Sequence, residues 1–87
     1  MDRIQLSKVL LELLEDETGE KYAGLEESAN LRKDLNLDSL DMVSLVLHIE
    51  NRLEIEIDTD ELNQAVTVGD LLDVLQRNLE RRQREAA

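Results

Sequence analysis

The chain of 87 residues contains no Cys, no Pro, no Phe and no Trp. Without Cys there is no disulfide framework, no thiolate metal site and no thiol nucleophile. A single His, His48, removes His-His metal motifs and leaves little for acid–base catalysis, so no metal centre and no enzyme activity are expected. Apolar runs such as Val9-Leu10-Leu11 fall far short of the roughly 20 residues that cross a bilayer. The N-terminal Met1-Asp2-Arg3-Ile4-Gln5 lacks the apolar stretch of a signal peptide, so a cytoplasmic location is expected. Positive charge is scarce: 10 Lys and Arg against 21 Asp and Glu leave a net charge of −11. Such a surface repels nucleic acid and anionic lipid, and a basic protein partner is favoured instead.

With Tyr22 as the sole aromatic residue, the core must be aliphatic, built from Leu, Ile and Val. Zero Pro and three Gly, in a chain with 36% charged residues, favour helices. No repeat or linker divides residues 1–87, which suffice for one small domain, expected to be a monomer.

Asp2 and Gln5, three apart, can cap a first helix. Leu6, Val9, Leu10, Leu13 and Leu14 recur at helical spacing over roughly 15 residues, and Thr18-Gly19 supplies the stop. Tyr22 to Asn36 reads as a long loop, pinned to the core by Leu31, Leu35 and Leu37, and its length is itself a functional hint. A second helix runs from Ser39 to about Leu53. Ile55 and Ile57 alternate with acids, a pattern too short and isolated to make a sheet. Asp58 or Thr59 can cap a short third helix through Leu62 to Ala65. Thr67 and Asp70 resemble a capping box before a last helix that turns Val68, Leu71, Leu72, Leu75 and Leu79 inward. The charged tail, 80–87, is expected to fray. The expected fold is all-α: a small four-helix bundle with a long first loop and a short third helix.

The second helix has two apolar faces. At about 100° per residue, Met42, Leu45, Val46, Ile49 and Leu53 form one stripe, wide enough for a core face. Leu40, Val43 and Leu47 fall on another flank, continued by Glu50 and Glu54. Small domains leave some apolar residues exposed, so the second stripe alone is compatible with ordinary surface. It also fits a docking patch with an apolar centre and an acidic rim. Asp38-Ser39-Leu40 puts a hydroxyl at the mouth of this helix. A Ser there is most often an N-cap, and it fails as a hydrolytic nucleophile because the only base at hand, His48, lies on a different flank as a solvated residue.

The stretch Asn30-Leu31-Arg32-Lys33-Asp34-Leu35-Asn36-Leu37-Asp38-Ser39-Leu40-Asp41 resembles the phosphopantetheine attachment motif of acyl carrier proteins. The resemblance continues through Leu45-Val46, Glu50 and Ile55-Glu56-Ile57, and again at Val66 to Leu72, covering nearly the whole chain. It implies that a phosphopantetheinyl transferase attaches 4'-phosphopantetheine, derived from coenzyme A, to Ser39. Asp38 would help position that reaction beside the transferase and its metal. Leu40, Asp41, Val43, Leu47, Glu50 and Glu54 would meet acyl-loading, condensing and modifying enzymes with basic docking surfaces. Met42, Val46, Ile57, Leu62 and Val66 are expected to shelter a bound acyl chain. The implied function is a carrier of acyl thioesters for fatty acid, polyketide or related biosynthesis.

Several positions depart from the family pattern. Asn36 stands where Gly is usual, and Asn tolerates a left-handed backbone nearly as well. Ser44 replaces a common acid, Arg52 adds a positive charge, Leu53 replaces a frequent Phe and Asp58 a frequent Pro. A carrier dedicated to a specialised lipid, polyketide or peptide pathway therefore stands beside a housekeeping one. The competing reading is an unmodified acidic helical module that only binds partners, from which the state of Ser39 alone separates it. A calcium-binding loop at Asp58 and Asp60 fails because Leu62 takes the next ligand position.

Overall fold

The computed structural model describes residues 1–86 and consists of α1 (Arg3–Thr18), α2 (Ser39–Leu53), α3 (Thr59–Gln64) and α4 (Val68–Ala86), with no strand among the described residues. The all-helical expectation therefore holds, with the long connection between α1 and α2.

α1 begins where its end groups are satisfied. The Gln5 N–H donates to Asp2 Oδ1 at 2.8 Å, and the Asp2 N–H donates to Gln5 Oε1 at 3.2 Å. It stops at Gly19, whose φ of 75° is left-handed and whose N–H donates to the Glu15 carbonyl at 2.8 Å. Between these ends Leu6, Leu10, Leu13 and Leu14 are buried. They pack with Leu45, Ile49 and Leu53 of α2 and Leu71, Leu72 and Leu75 of α4 in one aliphatic core. Each such side chain contributes about 1.5–3 kcal/mol by leaving water, so this core decides the fold.

The connection from residue 20 to 38 is a strap. The Tyr22 N–H donates to Glu15 Oε2 at 2.9 Å and its hydroxyl lies 3.1 Å from Thr18 Oγ1, tying the first half to α1. Leu31, Leu35 and Leu37 are buried as expected, around a single helical turn in which the Asp34 and Leu35 N–H groups donate to the Asn30 carbonyl at 2.9 and 3.2 Å. That turn is laid against the start of α4. The Leu31 N–H donates to the Val66 carbonyl, the Val68 N–H to Ala29 and the Gly69 N–H to Glu27, at 3.0, 2.9 and 2.9 Å. A Cβ at position 69 would lie 3.2 Å from three atoms of Glu27, so glycine permits this approach.

Arg3 closes the arrangement across the sequence. Its guanidinium donates to Glu27, to Asp73 Oδ1 at 2.7 Å, to Gln76 Oε1 at 2.6 Å and to the Gly69 carbonyl at 3.2 Å. One side chain thus joins α1, the strap and α4.

Two features of the C-terminal part differ from expectation. α4 continues through Ala86, where the charged composition predicts fraying from residue 80. The tail is rich in Arg, Gln and Glu, good helix formers, and Arg81 and Arg82 within it have partners. Arg77 and Arg81 lie 3.8 and 3.7 Å from Glu61 of α3, and Arg82 lies 2.9 Å from Glu54 at the end of α2. The inner face of α4 also includes Val74 and Asn78. Buried Asn78 is satisfied by donating to the Val74 carbonyl at 2.8 Å.

Two carboxylates titrate below their usual range. Hydrogen bonds from Arg3 hold Glu27 down, and backbone N–H groups of Val66 and Thr67 hold Asp70 down. A carboxylate lowered in the folded state stabilises it fully above the unfolded value of about 4, and that contribution is lost as pH falls through the lowered folded value. Melting temperature is therefore expected to fall from about pH 4 downward. Asp70→Asn should flatten that acid limb in a calorimetric pH series. An unchanged slope would show that Asp70 has no part in it.

Candidate functional site

The start of α2 is built by the three residues before it. Asn36 has a φ of 57°, the left-handed turn that Gly would supply in its place. Leu37 is then buried while its N–H donates to the Leu31 carbonyl at 3.2 Å, which fixes where the chain emerges. Asp38 is extended and is the N-cap: the Asp41 N–H donates to Asp38 Oδ1 at 2.8 Å, and the Asp38 N–H donates to Asp41 Oδ2 at 3.2 Å.

Ser39 is consequently the first helical residue, and the capping reading of its hydroxyl is corrected. The acid immediately before it already holds the cap, a competition that residue types alone do not decide because Asp and Ser are about equally good caps. The Ser39 side chain is exposed and makes no hydrogen bond among the described residues. An exposed, unbonded hydroxyl at the positive end of a 15-residue helix suits attachment of a phosphodiester. These residues fit a phosphopantetheine arm. His48 is exposed, with Nδ1 3.3 Å from Glu17 Oε2 of α1, so it is paired as well as solvated.

Both faces of α2 are present. Met42, Leu45, Val46, Ile49 and Leu53 are buried, whereas Leu40, Val43 and Leu47 are 80%, 56% and 54% exposed. The acidic residues beside them are less free than their positions on the helix suggest. Asp41 is engaged in the capping box, and Glu50 Oε2 accepts the Ile57 N–H at 2.9 Å. Glu54 ends the helix in a left-handed conformation, φ 56°, with Oε2 2.9 Å from Arg82. Their carboxylates remain on the flank, but Glu50 also holds the α2–α3 segment and Glu54 shares its charge with α4.

Of the residues expected around an acyl chain, Met42 and Val46 are buried, and Ile57 and Leu62 pack partly buried against the core. Val66 does not join them. It is 48% exposed, because its carbonyl is taken by the strap and its side chain is left outside. None of the residues of α3 is fully buried, and its N-cap is Asp58, whose carboxylate accepts the Asp60 N–H at 2.8 Å. A mainly polar groove borders Ile57, lined also by Glu50, Glu54, Asn78, Arg81 and Arg82. Among the described residues no cluster of His, Asp or Glu could hold a metal ion, and no helix is long and apolar enough to cross a membrane.

Comparison with known proteins agrees with this geometry. The profile of the phosphopantetheine attachment site family matches residues 8–75. An acyl carrier protein of Coprothermobacter proteolyticus is 34% identical over 79 residues, covering 91% of this chain and 96% of that one. One from Saccharopolyspora erythraea is 31% identical over 74 residues, covering 85% and 78%. The crystal structure of an acyl carrier protein from Thermotoga maritima superposes with a TM-score of 0.83 at 27% identity, covering 93% and 94%. The chain belongs to the acyl carrier protein family, whose members are carriers rather than enzymes and bear covalent 4'-phosphopantetheine.

Proposed function

We propose that Ser39 carries the phosphopantetheine arm and that α2 presents it to cytoplasmic enzymes of fatty acid, polyketide or related biosynthesis. The observation that carries this reading is the exposed Ser39 hydroxyl, unbonded because Asp38 caps the helix in its stead. When attached, the arm supplies a terminal thiol that holds acyl groups as thioesters. The chain's own residues do the rest. Ser39 Oγ is the anchor for the phosphopantetheinyl transferase, and α2's dipole favours the phosphodiester there. Asp38 fixes the helix start through Oδ1, leaving Oδ2 to help position the transferase's metal. Leu40, Val43 and Leu47 form the apolar centre of the docking face, with Asp41, Glu50 and Glu54 beside it. Met42, Val46, Ile57 and Leu62 shelter an acyl chain when α3, none of whose residues is fully buried, gives way.

Ser39→Ala should abolish arm attachment, read by intact mass after incubation with coenzyme A and a transferase. Because the hydroxyl caps nothing, stability should change by no more than about 0.5 kcal/mol. Asp38→Ala should cost about 1 kcal/mol through the lost cap. Arm attachment at Ser7, Ser28 or Ser44 in the Ser39→Ala protein would overturn the assignment.

Loading a medium-length acyl group should raise the melting temperature above that of the protein with an unloaded arm, through added apolar burial. Equal melting temperatures would place the acyl chain in solvent.

Docking kinetics should divide by residue type. Leu47→Ala should speed dissociation from the transferase by about tenfold, the effect of losing one central apolar contact. Raising salt toward physiological strength, with a screening length of about 8 Å, should slow association. Salt-independent association in stopped-flow measurements would reduce the acidic flank to a solubility feature.

A further inference from the structure

α3 is anchored at both ends and held lightly in its middle. On its N-terminal side the Ile57 N–H donates to Glu50 Oε2 at 2.9 Å. On its C-terminal side Ala65 is buried, and Val66 is fixed twice. Its N–H donates to Asp70 Oδ2 at 3.0 Å, and its carbonyl accepts the Leu31 N–H at 3.0 Å. Between these anchors no residue of α3 is fully buried, and Leu62, its one apolar residue, packs partly buried against the core.

One polar side chain links α3 to another helix. Asn78 Nδ2 donates to Glu61 Oε2 at 3.4 Å, and Arg77 and Arg81 lie 3.8 and 3.7 Å from the same carboxylate. Among the described residues no other side chain of α3 makes a hydrogen bond or ion pair with another element. Asn78 is a fixed donor, because it is buried and also donates to the Val74 carbonyl at 2.8 Å. The two contacts of α3 differ in what an acyl chain can replace. Leu62 exchanges one apolar neighbour for another when a chain enters, so its burial survives. The Glu61 carboxylate finds no substitute there, since a hydrocarbon chain offers no donor. The Arg82–Glu54 pair joins α4 to the end of α2 and does not involve α3.

We propose that Glu61 is the latch of the acyl-chain shelter: its release from Arg77, Asn78 and Arg81 lets residues 58–65 swing off α4 between their two anchors and admit the chain beneath Leu62. The inference rests on the reading of Met42, Val46, Ile57 and Leu62 as that shelter. Loss of the Glu61 contacts is the part of opening that the chain's own burial must offset. Longer acyl groups bury more apolar surface, so they open the latch more readily than short ones. Glu61 is therefore a specificity-determining residue that acts on acyl length from α3's outer contact with α4.

The test uses the full chain with a bare arm and with an octanoyl group on it, intact mass first establishing that Ser39 carries each. Glu61→Gln with a bare arm should melt about 2–4 °C below wild type, the size of losing one partly exposed ion-pair cluster. The octanoyl form of the same variant should melt with octanoyl wild type, because a latch already open has nothing left to lose. Glu56→Gln removes the same charge from an exposed residue and should separate the two forms no more than wild type does. Amide hydrogen exchange at residues 62–65 should be about two- to threefold faster in bare Glu61→Gln, with α1 unchanged. An equal drop in both forms, the mark of a merely structural role, would overturn the latch while leaving the shelter intact, and so would no drop in the bare form. Wild type that melts alike with and without octanoyl would instead remove the shelter, and the latch with it.

Discussion

The geometry of this protein depends on one constraint: a strap of roughly 19 residues must hold a fixed position across an aliphatic helical core. Leu31, Leu35 and Leu37 supply the burial, and the hydrogen bonds to Val66, Ala29 and Glu27 supply the register against α4. Burial by itself is non-directional and would let the strap slide. The backbone bonds, the absent side chain at Gly69 and the Arg3 clasp remove that freedom. The position at which the chain leaves the strap, and hence the place where α2 begins, follows from them.

α2 then serves two purposes without conflict because they occupy different sides of one helix. The buried stripe from Met42 to Leu53 joins the aliphatic core, and the exposed stripe is left free to meet other molecules. The exposed ion pairs around it are each worth only about 0–1 kcal/mol. They are better understood as setting how segments sit than as holding them together. Glu50 bound to the Ile57 N–H orders the segment leading to α3, and Glu54 with Arg82 joins two helix ends. Division of labour between apolar burial and polar placement runs through the whole chain.

Much of this was legible in the sequence, for identifiable reasons. The helices were, because Leu and Val recur at helical spacing and because Asp2, Gly19, Thr67 and Asp70 are terminating residues read locally. The two faces of α2 followed from the same periodicity. What was not legible depended on partners distant in sequence or on near-equal local choices. Nothing near Arg3 marks it for Asp73, 70 positions away, and nothing near Val66 signals that the strap would take its carbonyl and leave its side chain outside. Asp38 and Ser39 are comparable caps, and only the fold picks the acid. Arg77, Arg81 and Arg82 look like solvated charge until Glu54 and Glu61 are brought alongside, and the helix runs on beyond residue 80.

Tyr22 gives the molecule an unplanned asset. As the only aromatic side chain, it is the sole source of intrinsic near-ultraviolet emission, and its hydroxyl and N–H are both tied to the last turns of α1. Light from this protein therefore comes from one known place. It reports whether the first half of the strap is seated on α1, with no background from α2, α3 or α4.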